Sequence, residues 1–355
     1  MASAVHHILV INPGSTSTKI ALYENDMPVL AHTIRHDAQA NSVNATAWDQ
    51  FECRLRLVKE WVSANHITPT AVVSIGGLLR PVEGGVYRIN ERMMEDARAG
   101  VQGDHASNLG CVIAHDIAIE YRSPAFVVDP VSVDEFEPLA RYSGHPLIER
   151  RTLSHALSIH AVVRRVAEER KIPLEHSAFV VAHLGGGISI APVKSGRIID
   201  TNDASSDGPF SPERTGGLPL QQFISLCYSG KYMDQELRSL VMGRGGLFAY
   251  LGTNSAVEVE KRIEGGDQKA KEVYEAMAYQ IAKEIGAMAT VLHGKVDAIV
   301  LTGGLAESKL LTGWIQESVE YIAPVLIFGN EDEMAALATG ALRALNGEES
   351  IKEYL

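Results

Sequence analysis

The sequence has little of what marks secreted or membrane proteins. Its 355 residues include only three cysteines, Cys53, Cys111 and Cys227, too far apart for a disulfide framework or a CxxC metal site. This pattern predicts reduced thiols and a cytoplasmic protein. No apolar run approaches the ~20 residues of a membrane-spanning helix, and residues 8–11 are too short for the apolar part of a signal peptide. We therefore predict a soluble protein without a membrane partner.

Excess positive charge is also missing. The chain carries 32 lysines and arginines against 44 aspartates and glutamates, which gives a net charge of -12. Because such a charge repels phosphate backbones, we predict no nucleic-acid partner. The hydrophobic fraction of 46% is sufficient for sizeable cores, and at roughly 150 residues per domain the length predicts two domains.

The chain repeats its own plan. Apolar runs that end in glycines or polar residues recur in the same order in both halves, at 8–12, 71–75 and 125–129 and again at 178–183, 298–302 and 325–328. The repeat predicts a duplicated α/β domain. One domain would span residues 1–150, completed by residues 331–355, and the other would span residues 151–330. Apolar residues at steps of three to four predict helices over 153–170, 270–292 and 331–346.

Three polar or glycine-rich loops follow strands of this repeat. Residues 12–19 combine one glycine, four hydroxyl side chains and one lysine, and residues 185–187 and 303–304 are glycine runs. Such loops bring backbone N–H groups and hydroxyls to an anion. The GxxxxGK[ST] P-loop is absent, and ordinary polar hairpins or strand-to-helix turns are the alternative interpretation. Their repeat-related positions favour ATP binding in a cleft between two domains.

Five longer segments resemble the acetate and butyrate kinases, a family of the actin, sugar kinase and Hsp70 superfamily. They are residues 11–19 (INPGSTSTK), 183–189 (HLGGGIS), 208–216 (GPFSPERTG), 245–254 (GGLFAYLGTN) and 301–308 (LTGGLAES). The resemblance implies two actin-like (RNase H-like) ATPase domains with a central cleft. It also implies Mg²⁺-dependent, reversible, direct in-line transfer of a phosphoryl group from ATP to butyrate or a similar short-chain or branched acid. The nucleotide partners would be ATP and ADP, and the product an acyl phosphate.

The resemblance also assigns site residues. Phosphate contacts would come from Asn12, Ser15, Ser17, Lys19, His183, Gly185, Gly186 and Gly187, and adenosine contacts from Gly303 and Gly304. Arg214 would bind the group in transfer, Asp129 would be the catalytic aspartate, His155 and His105 would lie near the carboxylate, and Glu331 or Glu333 would serve Mg²⁺. Plainer alternatives are a core histidine at 183, a surface arginine at 214, a turn residue at 129 and helix caps at 331 and 333.

One position departs from the family pattern. Ile75 stands where relatives carry an arginine before Gly-Gly, and loss of that charge at the reacting centre predicts weakened activity, with most charge stabilisation left to Arg214. Arg80 is a candidate substitute. Gly77, where acetate-preferring relatives carry valine, favours a wider acyl pocket and therefore butyrate or a branched acid.

Two other functions remain open on sequence grounds. A sugar or hydroxyl kinase of the same superfamily would need a carboxylate base, and a nucleotide-binding sensor would bind without turnover. A DNA-binding repressor is disfavoured, because the sequence starts almost directly with the first strand and leaves no room for a helix-turn-helix module. The resemblance predicts a homo-oligomer.

Overall fold

The computed structural model describes residues 5–36, 46–329 and 332–355. The strands are β1 His7–Pro13, β2 Ser17–Glu24, β3 Met27–Arg35, β4 Ala71–Ile75, β5 Val86–Arg88, β6 Ala125–Val128, β7 Ala178–Leu184, β8 Ile188–Lys194, β9 Arg197–Ile198, β10 Ala298–Thr302, β11 Val325–Phe328 and β12 Ile351–Glu353. The α-helices are α1 Phe51–Ala64, α2 Glu91–Ala99, α3 Leu109–Tyr121, α4 Ala156–Glu169, α5 Leu220–Cys227, α6 Asp234–Val241, α7 Gly246–Leu251, α8 Ala256–Glu264, α9 Gln268–Val291, α10 Lys309–Val319 and α11 Glu333–Leu345.

The chain divides into two units, and the boundary between them lies at a different residue from the one predicted. The first unit is Met1–Asp134 with Asp332–Leu355, and the second is Glu135–Glu331. Residues 135–150, which the sequence assigned to the first domain, pack in the second unit. There the Glu137 N–H donates to the Ile199 carbonyl at 3.0 Å, and the Arg150 guanidinium contacts the Asp200 carboxylate at 2.9 Å. No Gly/Ser/Pro-rich linker marks this change.

Each unit contains one sheet, and the two sheets share a topology. The first has the order β12-β5-β6-β4-β1-β2-β3 and the second the order β11-β10-β7-β8-β9. In both, an antiparallel meander of three strands is followed by two strands that add in parallel. The predicted duplicated α/β fold is therefore confirmed, and β5 with β12 extends only the first sheet.

The predicted helices form with shifted starts. The helix predicted over 270–292 is α9, whose N-cap Asp267 accepts a hydrogen bond from Ala270 N at 3.0 Å. The last helix starts at Glu333 because Asp332 Oδ1 accepts the Met334 N–H at 2.9 Å. The predicted helix over 153–170 starts only at Ala156, because His155 is turned toward Ser189, with its Nδ1 2.9 Å from the hydroxyl.

Each unit is built around its own apolar core. In the first, Leu9, Ile11 and Val72 of the sheet are fully buried together with Ile113 of α3. In the second, Val180 and Ile299 pack with the long helix α9. Helix α11 approaches the first sheet so closely that a Cβ at Gly340 would lie 2.6 Å from Val128 Cγ1. Among the described helices, none combines the length and apolar character needed to cross a bilayer.

Candidate active site

In the first unit, a polar loop joins β1 to β2. The Gly14 N–H donates to the Ser17 carbonyl at 2.7 Å, which closes a tight turn and leaves Ser15 exposed. Asn12, only 8% exposed, donates from Nδ2 to Glu333 Oε2 at 2.9 Å, and the strand register places Lys19 opposite Asn12. The loop therefore gathers all four of the phosphate contacts predicted in the first unit.

His105 lies beside this loop, and its predicted place near the carboxylate stays a prediction. Its Nε2 is 3.5 Å from Ser15 Oγ. Its Nδ1 accepts the Ser107 N–H at 3.2 Å, so Nε2 carries a proton. His105 thus turns an N–H donor toward the loop.

Asp129 is held by the turn before β5. Its Oδ1 accepts the Gly85 N–H at 2.7 Å and its own N–H donates to the Gly85 carbonyl at 3.0 Å. The residue is 1% exposed and has a φ of 39°, an uncommon value for a residue with a side chain. One carboxylate oxygen of Asp129 therefore holds the turn at Gly85, and the catalytic role stays a prediction.

Arg80 and Gly77 make contacts in the structure that differ from their predicted roles at the acyl site. Arg80 Nε donates to the buried Asp96 carboxylate at 2.6 Å, and this hydrogen bond lowers the pKa of Asp96. A Cβ at Gly77 would collide with Asn108, whose Cα would lie only 2.6 Å away. Close approach of Asn108 therefore requires glycine at position 77, so this residue gives no separate support for a wider acyl pocket.

In the second unit, the loop between β7 and β8 carries Gly185, Gly186 and Gly187, and Arg214 lies directly against it. A Cβ at Gly187 would be 2.6 Å from Arg214 Cζ. Arg214 Nη1 donates to the Ala204 carbonyl at 2.8 Å, while the buried Nε–H has no hydrogen-bond partner. Burial lowers the pKa of Arg214, against the raising effect of Glu213 and Asp203, yet a guanidinium stays protonated at neutral pH.

Two histidines stack beside the same loop. The rings of His155 and His183 are 4.1 Å apart between centroids and tilted by 18°. His155 Nδ1 lies 2.9 Å from Ser189 Oγ, and the buried Nδ1 of His183 has no partner. Burial lowers the pKa of His183 to about 4, and burial, then His183 and Arg214, hold the pKa of His155 well below its ordinary range. Both rings are therefore neutral at pH 7.

This burial predicts a pH-dependent stability. The unfolded chain protonates histidine at a pKa of about 6.5, whereas His183 in the folded protein binds a proton only near pH 4. The stabilising contribution is therefore complete above about pH 6.5 and is lost as the pH falls toward 4. Urea unfolding at about pH 7 and about pH 5 is expected to show a smaller pH dependence for His183→Gln than for the native chain. An unchanged pH dependence would contradict the neutral, buried state of this ring.

The glycine pair after β10 meets the glycine loop after β7. A Cβ at Gly303 would lie 2.5 Å from the Leu184 carbonyl oxygen, and the φ of Gly303 is 86°. Gly304, by contrast, faces open space and starts a 3-10 helix. Because β7 and β10 are parallel neighbours, the structure brings two of the three predicted loops to one edge of the second sheet. The adenosine contacts stay a prediction.

A divalent cation would have few protein ligands here. Glu331 lies outside the described residues, and Glu333 is beside Asn12. Within residues 5–36, 46–329 and 332–355, no group of three His, Cys, Asp or Glu side chains is arranged to hold a metal. A Mg²⁺ ion held by one or two carboxylates, with phosphates and water completing its shell, would not require such a group.

Arg54, which was not predicted from the sequence, lies behind the β1–β2 loop. The side chain is 1% exposed. Arg54, Val58 and Val62 are the buried residues of α1 and follow at four-residue steps. An arginine in line with the apolar face of an amphipathic helix was the available signal.

Comparisons with known proteins agree on one family. The model of the acetokinase family matches residues 139–322. The chain is 51% identical over 350 residues to a probable butyrate kinase 2 of Caldanaerobacter subterraneus subsp. tengcongensis, covering 98% of this chain and 99% of that protein. Its fold is similar to an acetate kinase of Porphyromonas gingivalis, with a TM-score of 0.78, 17% identity and coverage of 96% and 100%. It is also similar to a propionate kinase of Francisella tularensis, with a TM-score of 0.72, 20% identity and coverage of 94% of this chain and 98% of that chain.

Proposed function

Because the chain belongs to the acetokinase family, we propose that it transfers a phosphoryl group between ATP and butyrate, or a similar short-chain or branched acid, in a Mg²⁺-dependent in-line reaction. Membership of the family establishes the general activity: the protein is an ATP-dependent kinase of short-chain carboxylates. Butyrate is favoured over acetate by the relative of 51% identity, whose name specifies butyrate.

The mechanism depends on one observation: the Arg214 guanidinium packs against the glycine loop at Gly187. Its Nε–H is buried without a partner and is therefore available to an oxygen that enters the site. Phosphoryl transfer requires mainly positive charge and donors around the three oxygens of the group in flight. A buried, permanently charged guanidinium with an unpaired N–H supplies both.

The paired histidines act as neutral donors in this proposal. Since both pKa values are lowered, each ring brings one N–H and no charge at pH 7. His183 lies two residues before the glycine loop, and His155 is oriented by Ser189. Neutral rings can orient phosphoryl oxygens without trapping the anionic product by charge attraction.

No general base is required for this acceptor. A carboxylate is already ionised at pH 7, whereas an alcohol would need a group to take its proton. Asp129 is then better suited to orienting donors or metal-bound water. In the first unit, Ser15, Ser17 and Lys19 would contact phosphate oxygens, and Glu333 would be the described residue that holds Mg²⁺, which neutralises phosphate charge when bound.

The proposed acceptor can be tested with a panel of acids. Hydroxylamine traps acyl phosphates as hydroxamates, so straight and branched acids from C2 to C6 can be compared with ATP and Mg²⁺ in one assay. We expect the highest kcat/KM with butyrate or isobutyrate and overlap with neighbouring lengths, because one methylene contributes only about 1–3 kcal/mol. Turnover restricted to a polyol would instead support a hydroxyl kinase, and nucleotide binding without any turnover a sensor.

Ile75 yields a prediction of its own. It ends β4 and pairs in register with Val128, the residue before Asp129. Arg80, the candidate substitute, is bound to Asp96. We expect Ile75→Arg to raise kcat for acyl phosphate formation by about tenfold or more, because it restores a charged donor at the reacting centre. Ile75→Lys separates charge from the forked geometry, and an unchanged kcat in Ile75→Arg would show that no deficit exists.

The assembly and location also belong to this proposal. We infer a cytoplasmic homo-oligomer that binds a nucleotide and a carboxylate. Three free thiols, at Cys53, Cys111 and Cys227, support a reducing compartment. Exposed apolar side chains such as Leu139 and Leu147, at 86% and 87% exposure, support self-association. Light scattering coupled to size-exclusion chromatography measures the subunit number directly.

A further inference from the structure

Arg54 bonds the back of the β1–β2 loop. From α1, its Nη1 donates to the Gly14 carbonyl at 2.8 Å and its Nη2 to the Ser15 carbonyl at 3.3 Å. Nη1 also donates to Thr18 Oγ1 at 3.2 Å. The remaining donors meet Gln50 Oε1, at 3.1 Å from Nε and 2.7 Å from Nη2. The guanidinium is therefore saturated by partners that are all neutral.

The buried charge of Arg54 has no compensating carboxylate in the described part of the chain. Its hydrogen bonds go to carbonyl, amide and hydroxyl oxygens, and burial lowers its pKa. A buried cation without an acidic partner is costly to a fold. This cost is offset when an anion binds close by, and the exposed side of the loop is the nearest place for one.

The hydrogen bonds of Arg54 also fix which way the loop peptides face. In a trans peptide the carbonyl and the following N–H point in opposite directions. With the Gly14 and Ser15 carbonyls directed at Arg54, the N–H groups of Ser15 and Thr16 face away from it. Among the described residues neither N–H donates a hydrogen bond. Two adjacent free N–H groups on an exposed turn form an anion-binding nest.

The third contact extends the control of Arg54 to β2. Thr18 is fully buried. Because its hydroxyl accepts from Arg54, its one proton is left for His36, whose Nε2 is 2.8 Å away. Burial, and then the charge of Arg54, lower the pKa of His36, in agreement with a neutral ring that accepts this proton. Arg54 thus holds both ends of the turn from Gly14 to Thr18.

We propose that Arg54 is a positioning residue for phosphoryl binding: it orients the Ser15 and Thr16 N–H groups toward a phosphate and places its positive charge behind them. This inference rests on the proposed role of the loop in binding phosphoryl groups. Arg54 itself touches no substrate in this scheme.

The test separates substrates that carry phosphate from the one that does not. Arg54→Lys keeps the positive charge but loses the forked guanidinium, and Arg54→Met loses both. Arg56→Met is the matched control, because Arg56 lies on the same helix but is exposed and paired with Glu60. We expect KM for ATP, and for acyl phosphate in the reverse reaction, to rise about tenfold to a hundredfold in Arg54→Met and less in Arg54→Lys. This range is typical when groups that orient direct ligands are removed. KM for the carboxylate stays unchanged.

Other outcomes have distinct meanings. A fall in kcat with unchanged KM for ATP, together with a lower melting temperature, would reduce Arg54 to a folding role and overturn the inference. If Arg54→Met does not fold, the KM of Arg54→Lys decides the same question. Lys19→Met tests the underlying function separately: unchanged kinetics there would remove the loop from phosphoryl binding, whereas an effect at Lys19 with none in either Arg54 variant overturns the positioning role alone.

Discussion

Replacement of Arg214 by glutamine is expected to lower kcat for acyl phosphate formation by about three orders of magnitude or more, the effect typical of an arginine that stabilises a transferring phosphoryl group. Glutamine keeps a polar side chain of similar reach, but it removes the charge and the fork. The guanidinium is buried against Gly187 with one N–H unpaired, so its field is weakly screened by water. With Ile75 in place of a second arginine, most of the charge stabilisation is predicted to fall to Arg214.

Two controls make the result specific to the role of Arg214. Arg214→Lys retains a charge and is expected to recover only part of kcat, because a lysine cannot present two parallel donors. Arg238→Gln removes an exposed arginine that pairs with Asp234 four residues away, and it is expected to leave kcat unchanged. Steady-state kinetics with ATP and butyrate measure all three. An Arg214→Gln enzyme within about tenfold of native kcat would remove Arg214 from the mechanism.

A methyl group on the glycine loop is expected to act almost as strongly. In Gly187→Ala the new Cβ would lie 2.6 Å from Arg214 Cζ and 3.2 Å from Nε. The guanidinium must then move, and a displacement of about 1 Å at a reacting centre costs about a hundredfold in rate. We expect kcat to fall by about that factor while the far-ultraviolet circular dichroism spectrum stays native.

The neighbouring glycine provides the matched control. A Cβ at Gly186 would meet Glu213 Oε1 at 3.5 Å, which is ordinary van der Waals contact. Gly186→Ala adds the same methyl group to the same loop without touching Arg214. Because Gly186 is itself a predicted phosphate contact, we expect some loss of kcat, but a smaller one than in Gly187→Ala. Equal losses in the two variants would assign the effect to loop flexibility and not to displacement of Arg214.

The sheets were predictable because their signal is local. Apolar runs ended by glycines or polar residues predicted β1, β4, β6, β7, β10 and β11, and their order predicted the duplication. The unit boundary was not predictable, because the chain enters the second unit at Glu135 with no change in composition. Helices α5 to α8 lie between residues 208 and 264, where no helix is predicted from the sequence.

The site shows the same division. Motifs placed Arg214 and His183 in the sequence, but the contact of Arg214 with Gly187 is a tertiary fact that spacing does not carry. Gly77 shows how a single-residue argument fails: the absent side chain suggested free space, yet Asn108 occupies that space. Arg54 was overlooked because an arginine in a helix ordinarily faces solvent, and only burial of α1 beneath the loop gives it a role.

The first unit is assembled from both ends of the chain. Helix α11 packs against β6 through Gly340, and β12 adds to β5 as the outermost strand of the first sheet. A ribosome therefore releases every element of the second unit before the last helix and strand of the first become available. The second unit can therefore fold while the first still lacks its last helix and strand. During synthesis the unit that begins second is thus expected to complete its fold first.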